Sequence, residues 1–162
     1  PQDGIHLNGA RVLKSSLLSH SPIDLVLLML GTNDLKFRFQ RTAENIADGI
    51  KELIQIVLNT NSGSGGWHDA NKSNLVVICP PALGGKSYDP EWINFKEWEG
   101  GLEKSKELHF SFEKVCSQMG VHLIDANEFC QSSSIDPIHW SKKMHLKFSE
   151  NLANIIDQKI KL

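Results

Sequence analysis

Two short stretches of this sequence hold side chains whose types and spacing suit proton transfer and oxyanion binding. In Asp136-Pro137-Ile138-His139 an aspartate precedes a histidine by three residues within one loop. Such an Asp can accept from Nδ1–H and leave Nε2 free to act as a general base toward a nucleophile. Taken alone, a surface histidine beside an unrelated aspartate fits equally well. In Gly31-Thr32-Asn33-Asp34, which follows an apolar run, Gly31 permits a tight turn. Asn33 then offers an amide NH2 that could donate to a developing oxyanion. An ordinary turn built from Gly, Asn and Asp accounts for the same residues.

Other reactive side chains are weaker candidates. Cys79 ends an apolar run, where a thiolate could pair with His139, but a strand-end cysteine is more often packing. Ser132, Ser133 and Ser134 read as a serine-rich loop tip, and Gly63-Ser64-Gly65 as part of a polar loop. His139 and His145 are six apart, which does not place two metal ligands on one helix face, and no third ligand is evident. Trp92, Phe95, Trp98 and Trp140 either line a pocket or pack.

The elements that must position these residues follow from periodicity. After Asn8-Gly9, a short helix is expected over 10–20, with Val12, Leu13, Leu17 and Leu18 at helical spacing. The near-continuous apolar run 23–30 predicts a central parallel strand covered by helices on both faces. Thr42 can cap a helix reaching Leu58, because Ala43, Ile46, Ile50, Leu53, Ile54 and Val57 form one stripe. Residues 59–74, rich in Gly, Ser and Asn, read as a loop insertion, open to use as an interface between copies. A second buried strand is expected over 75–79, stopped by Pro80-Pro81. Leu108, Phe112, Val115 and Met119 mark a helix closed by Gly120, before a strand over 121–124. Ser141 can cap a last helix that turns Phe148, Leu152, Ile155 and Ile156 inward. This order predicts a three-layer α/β/α domain with a mostly parallel sheet. Three strands are few for four helices, so at least one further strand is expected before Pro1. Sites in such sheets form beyond the carboxyl ends of the strands, where both motifs fall.

A chain of 162 residues with 40% hydrophobic and 22% charged side chains suits one globular domain, and a net charge of -2 gives no electrostatic reason to expect nucleic acid. Its longest apolar run, 25–30, is far below the roughly 20 residues a spanning helix needs. Cys79, Cys116 and Cys130 form no CxxC pair, which favours a reducing, cytoplasmic setting.

Taken together, Gly31-Thr32-Asn33-Asp34 after a buried strand and Asp136-x-x-His139 before a C-terminal helix resemble the third and fifth sequence blocks of the SGNH (GDSL-type) hydrolases. Leu7-Asn8-Gly9, Pro22-Ile23-Asp24-Leu25-Val26, Met29-Leu30, Pro80-Pro81 and Glu99-Gly100-Gly101 are similar to the arylesterase branch, so the resemblance runs along nearly the whole chain. It implies a flavodoxin-like fold and hydrolysis of small carboxylic esters through an acyl-serine. Asn33 would be an oxyanion-hole donor, His139 the base and then the acid, and Asp136 its orienter. No metal or organic cofactor would be required, and oligomers are common in that branch.

The Gly-Asp-Ser that carries the nucleophile in that family does not occur here, and neither Gly4 nor Gly9 has the context of its second-block glycine. The serine is therefore expected upstream of these residues, and a chain deprived of an internal strand is expected to be unstable alone. Two other readings stand beside the esterase. One is a non-catalytic binding domain on the same fold, and the other is a carbohydrate O-deacetylase.

Overall fold

The computed structural model describes residues 7–64 and 71–159; Gly4 and Gly65 lie outside them. Helix α1 (Gly9–Ser19) starts where Asn8 Oδ1 accepts from Ala10 N at 3.0 Å. Helix α2 (Ala43–Leu58) opens with a reciprocal cap. Thr42 Oγ1 accepts from Asn45 N and Asn45 Oδ1 accepts from Thr42 N, both at 3.2 Å. Its expected stripe is buried along the whole length. A short turn of helix, α3 (Phe95–Trp98), leads into α4 (Gly101–Met119). Gly120 ends α4 in the left-handed region, at φ 65. The last helix, α5 (Lys142–Lys159), begins with Met144 N donating to Ser141 Oγ at 3.2 Å.

Strands β1 (Leu25–Leu28), β2 (Asn74–Cys79) and β3 (His122–Asp125) pair in parallel in the order β1-β2-β3. Every residue of β2 is buried. Leu75, Val77 and Cys79 face the larger core, with α2 and α4, whereas Val76 and Ile78 join Ile124 under Phe148, Leu152 and Ile155 of α5. The result is the three-layer α/β/α arrangement of a flavodoxin-like fold.

The run 23–30 is shorter as a strand than its composition suggests, and among the described residues it is an edge rather than a centre. Leu27 pairs with Val76 and so shares the α5 side of the sheet, yet it is 42% exposed and stands outside the cluster that takes in Leu25 of the same strand. Met29 and Leu30 are exposed beside it. The polar segment after α2 is loop where it is described, yet part of it is interior. Thr60, Ser62 and Ser73 are buried, Ser62 and Ser73 share a hydroxyl hydrogen bond of 2.9 Å, and Ile23 N donates to Ser62 O at 2.7 Å.

Candidate functional site

Each of the two motifs sits beyond the carboxyl end of a strand. Gly31 turns the chain off β1 at φ 122, a region that L side chains avoid. A Cβ there would also lie 3.3 Å from Ile46 Cγ2 and from Phe112 Cζ. Replacing Gly31 with alanine should therefore destabilise the fold by about 1–3 kcal/mol, read as a lowered urea midpoint, because the turn must either strain or move off the core. That turn forms a short 3-10 helix over Thr32–Leu35. It leaves Asn33 exposed, with a side-chain amide that takes no hydrogen bond among the described residues. Asp34 is engaged elsewhere: it pairs with Arg41, and burial pushes its carboxyl up while Arg41 and its own backbone N–H pull the other way.

The second motif is a closed local network. His139 Nδ1 lies 2.6 Å from Asp136 Oδ2, and Asp136 Oδ1 accepts from the backbone N–H groups of Ile138 at 2.8 Å and His139 at 3.2 Å. Although burial alone raises the Asp136 carboxyl, these hydrogen bonds outweigh it and hold the group below its ordinary 3.8. The sign follows from linkage. A depressed carboxylate pKa stabilises the loop above the unfolded value, and that stabilisation is lost only as pH falls through the lower folded value. At neutral pH Asp136 is thus a fixed acceptor. The His139 ring is 80% exposed, and its Nε2 has no partner among the described residues. This is a base with an orienter, open to whatever is brought to it.

The structure gives the other candidates different places. Ser133 Oγ accepts from Asp136 N at 2.8 Å and donates to Asp136 O at 3.0 Å, while Ser133 N donates to His139 O at 3.1 Å. It is a strut of the loop. A serine three residues before an aspartate in a loop is the signal that could have found it. Ser64 Oγ bonds Asp24, ahead of β1 and hence at the opposite end of the sheet from both motifs. His145 lies against Trp140 with tilted rings and centroids 5.2 Å apart, and Trp140 packs on Phe148 at 4.7 Å, so both belong to the α5 aromatic cluster. Trp98 is buried with Lys36 over its ring, whereas Trp92 and Phe95 are half-buried. A second pair, His109 Nδ1 and Asp125 Oδ2, lies 3.2 Å apart, though not aligned as a hydrogen bond. Asp125 is already committed to Asn127, whose N and Nδ2 donate to it at 3.0 and 2.7 Å.

Cys79 is fully buried, its thiol is pushed up to about 12 by burial and then by the neighbouring charges of Asp125 and Cys116, and its Sγ faces Pro80 O at 3.6 Å. Iodoacetamide at pH 8 should therefore leave Cys79 unmodified in the folded protein and alkylate it in urea, as peptide mass spectrometry would show. Early native labelling would contradict the burial. Among the described residues no group of three His, Cys, Asp or Glu could hold a metal ion, and no helix is long and apolar enough to cross a membrane.

Neither a protein-family model nor a curated protein matches the chain. Solved structures do. A carbohydrate acetylesterase from Sinorhizobium meliloti superposes with a TM-score of 0.85 at 32% identity, over 97% of this chain and 71% of that one. The aryl esterase of M. smegmatis gives 0.84 at 32% identity with the same coverage. A lipase/acylhydrolase from Enterococcus faecalis, 18% identical with a TM-score of 0.60 over 95% of this chain and 72% of its own, shares the fold. Identity at this level over nearly the whole chain, on a shared parallel sheet, shows that the chain belongs to the SGNH (GDSL-type) hydrolase family.

Proposed function

We propose that the protein to which these residues belong hydrolyses small carboxylic esters through an acyl-serine, with His139 as base and acid, Asp136 as its orienter and Asn33 as an oxyanion donor. The observation that carries the assignment is the 2.6 Å contact between His139 Nδ1 and Asp136 Oδ2. It fixes the tautomer that leaves Nε2 as the acceptor. In the first step Nε2 takes the serine proton as the oxygen attacks the ester carbonyl, and Asn33 Nδ2–H donates to the oxyanion that forms. His139 then gives that proton to the departing alcohol. In the second half it takes a proton from water, which attacks the acyl-serine, and the carboxylic acid leaves as the serine is restored.

The serine itself comes from a segment outside these residues, next to β1. Two observations support this placement. The edge of β1 is unpaired among the described residues and exposes Leu27, Met29 and Leu30 beside the Asn33 turn, the kind of edge that proteins cover. The matched esterases also extend well beyond the 71% of their length aligned here. Treating the full-length protein with an organophosphorus ester and mapping the adduct tests the scheme. Modification is expected on a serine outside the 162 residues; an adduct on Ser132, Ser133, Ser134 or Cys79 would overturn it, and no adduct at all would favour a binding domain without turnover.

An O-deacetylase acting on acetylated carbohydrate is the second reading, supported by the 32% identity to the carbohydrate acetylesterase from Sinorhizobium meliloti. Acetylated sugars and aryl acetates assayed side by side separate the two. A reducing, cytoplasmic setting fits the three buried free cysteines, Cys79, Cys116 and Cys130.

A further inference from the structure

The loop after β2 makes an unusual set of contacts for its length. Three successive backbone N–H groups are each tied to a different element. Ala82 N donates to Asn127 Oδ1 at 2.8 Å, beyond β3. Leu83 N donates to Ser105 Oγ at 3.0 Å, on α4. Gly84 N donates to Pro137 O at 2.8 Å, inside the loop that holds Asp136 and His139. Three partners on three elements for three successive residues, of which Leu83 is buried, place this loop at a junction.

The same loop reaches the Asn33 turn. Leu83 and Leu35 are both buried and meet at the start of α4, where a Cβ on Gly101 would lie 3.0 Å from Leu83 Cδ1 and 3.6 Å from Leu35 O. Lys104 Nζ holds Leu35 O at 2.9 Å. The turn carrying Asn33 and the loop carrying His139 are thus seated on one reference, the first turns of α4, and the link to His139 runs through Gly84. There is no room at that link. A Cβ on Gly84 would lie 2.4 Å from Ser132 Oγ and 3.2 Å from Pro137 Cα. The serine hydroxyl can rotate away, but the proline backbone must shift.

We infer that Ala82–Gly84 is a positioning clamp that sets where His139 stands relative to Asn33, with Gly84 and Asn127 as positioning residues for the proton-transfer step. This rests on the esterase reading above. In-line proton transfer tolerates little displacement, since a shift of about 1 Å in a reacting group can cost about 100-fold in rate. Gly84→Ala, which pushes Pro137 by a few tenths of an ångström, should lower kcat about 10-fold and leave KM within about 2-fold.

A double-mutant cycle in the full-length protein distinguishes positioning from general damage. Activity on an aryl acetate would be measured for wild type, Gly84→Ala, His139→Ala and the double variant, each normalised to folded protein by circular dichroism. The expected result is a clear loss from Gly84→Ala when His139 is present and a change below about 2-fold when it is absent, because the clamp acts through that ring. Equal losses in both backgrounds would overturn the clamp and leave the esterase assignment standing. Full activity in His139→Ala would overturn the esterase assignment itself, and the clamp with it. Should Gly84→Ala fail to fold, Asn127→Ala removes an exposed side chain that accepts from Ala82 N. It should show about a 3-fold loss in kcat with the same dependence on His139. An unchanged kcat in folded Asn127→Ala would count against the clamp.

Discussion

Replacing His139 with alanine in the full-length enzyme should lower kcat on a chromogenic short-chain ester by roughly 10⁴-fold or more, about 5 kcal/mol or more of transition-state stabilisation. The ring is 80% exposed and contributes one side-chain hydrogen bond, so its removal should leave the thermal midpoint nearly unchanged. That separation is what makes the experiment decisive. A large kinetic loss in a protein of ordinary stability separates a role at the site from a role in folding, whereas wild-type turnover in the variant would remove the acid–base assignment. Asp136→Asn should be milder than His139→Ala if the orienting hydrogen bond partly survives, yet still severe, since an amide can hold the wrong tautomer.

Asn33→Ala should lower kcat by about 100- to 1,000-fold, or roughly 2.7–4 kcal/mol, with a much smaller change in KM. The asymmetry has a physical origin. A carbonyl oxygen in the bound ester carries little charge, but the tetrahedral oxyanion carries a full one, so an aligned amide donor is worth most at the transition state. Steady-state kinetics with one aryl ester decides it: a KM effect at constant kcat would place Asn33 in ground-state binding instead. Because Asn33 is exposed and its amide is otherwise unbonded among the described residues, little structural loss should confuse the reading.

What could be seen in the amino-acid sequence was whatever is settled locally. Thr42, Ser141 and Gly120 mark helix ends through contacts a few residues apart, and the Ile46, Ile50, Leu53, Ile54 and Val57 stripe repeats within one helix. Asp136 and His139 belong to the same class, since three residues of loop bring both partners together. The strand at 23–30 is where that reasoning stops. Seven apolar residues in a run of eight announce a strand, but which edges are paired and which faces are covered depends on elements far away, and Leu27 is left exposed. Polar composition misleads in the same way at Ser62 and Ser73, which satisfy each other in the interior. The contacts of Ala82 and Gly84 were invisible because their partners stand far along the chain; Asn127 is 45 residues from Ala82.

The buried bond between Ser62 and Ser73 has a use beyond architecture. It fastens both ends of a chain segment to the base of the sheet, close to Ile23 and Asp24, while the proposed chemistry occupies the other end. Lengthening a segment closed in this way costs little, about 0.6 kcal/mol for each doubling. The closure therefore tolerates insertions in the chain between the two serines at little cost to the folded domain.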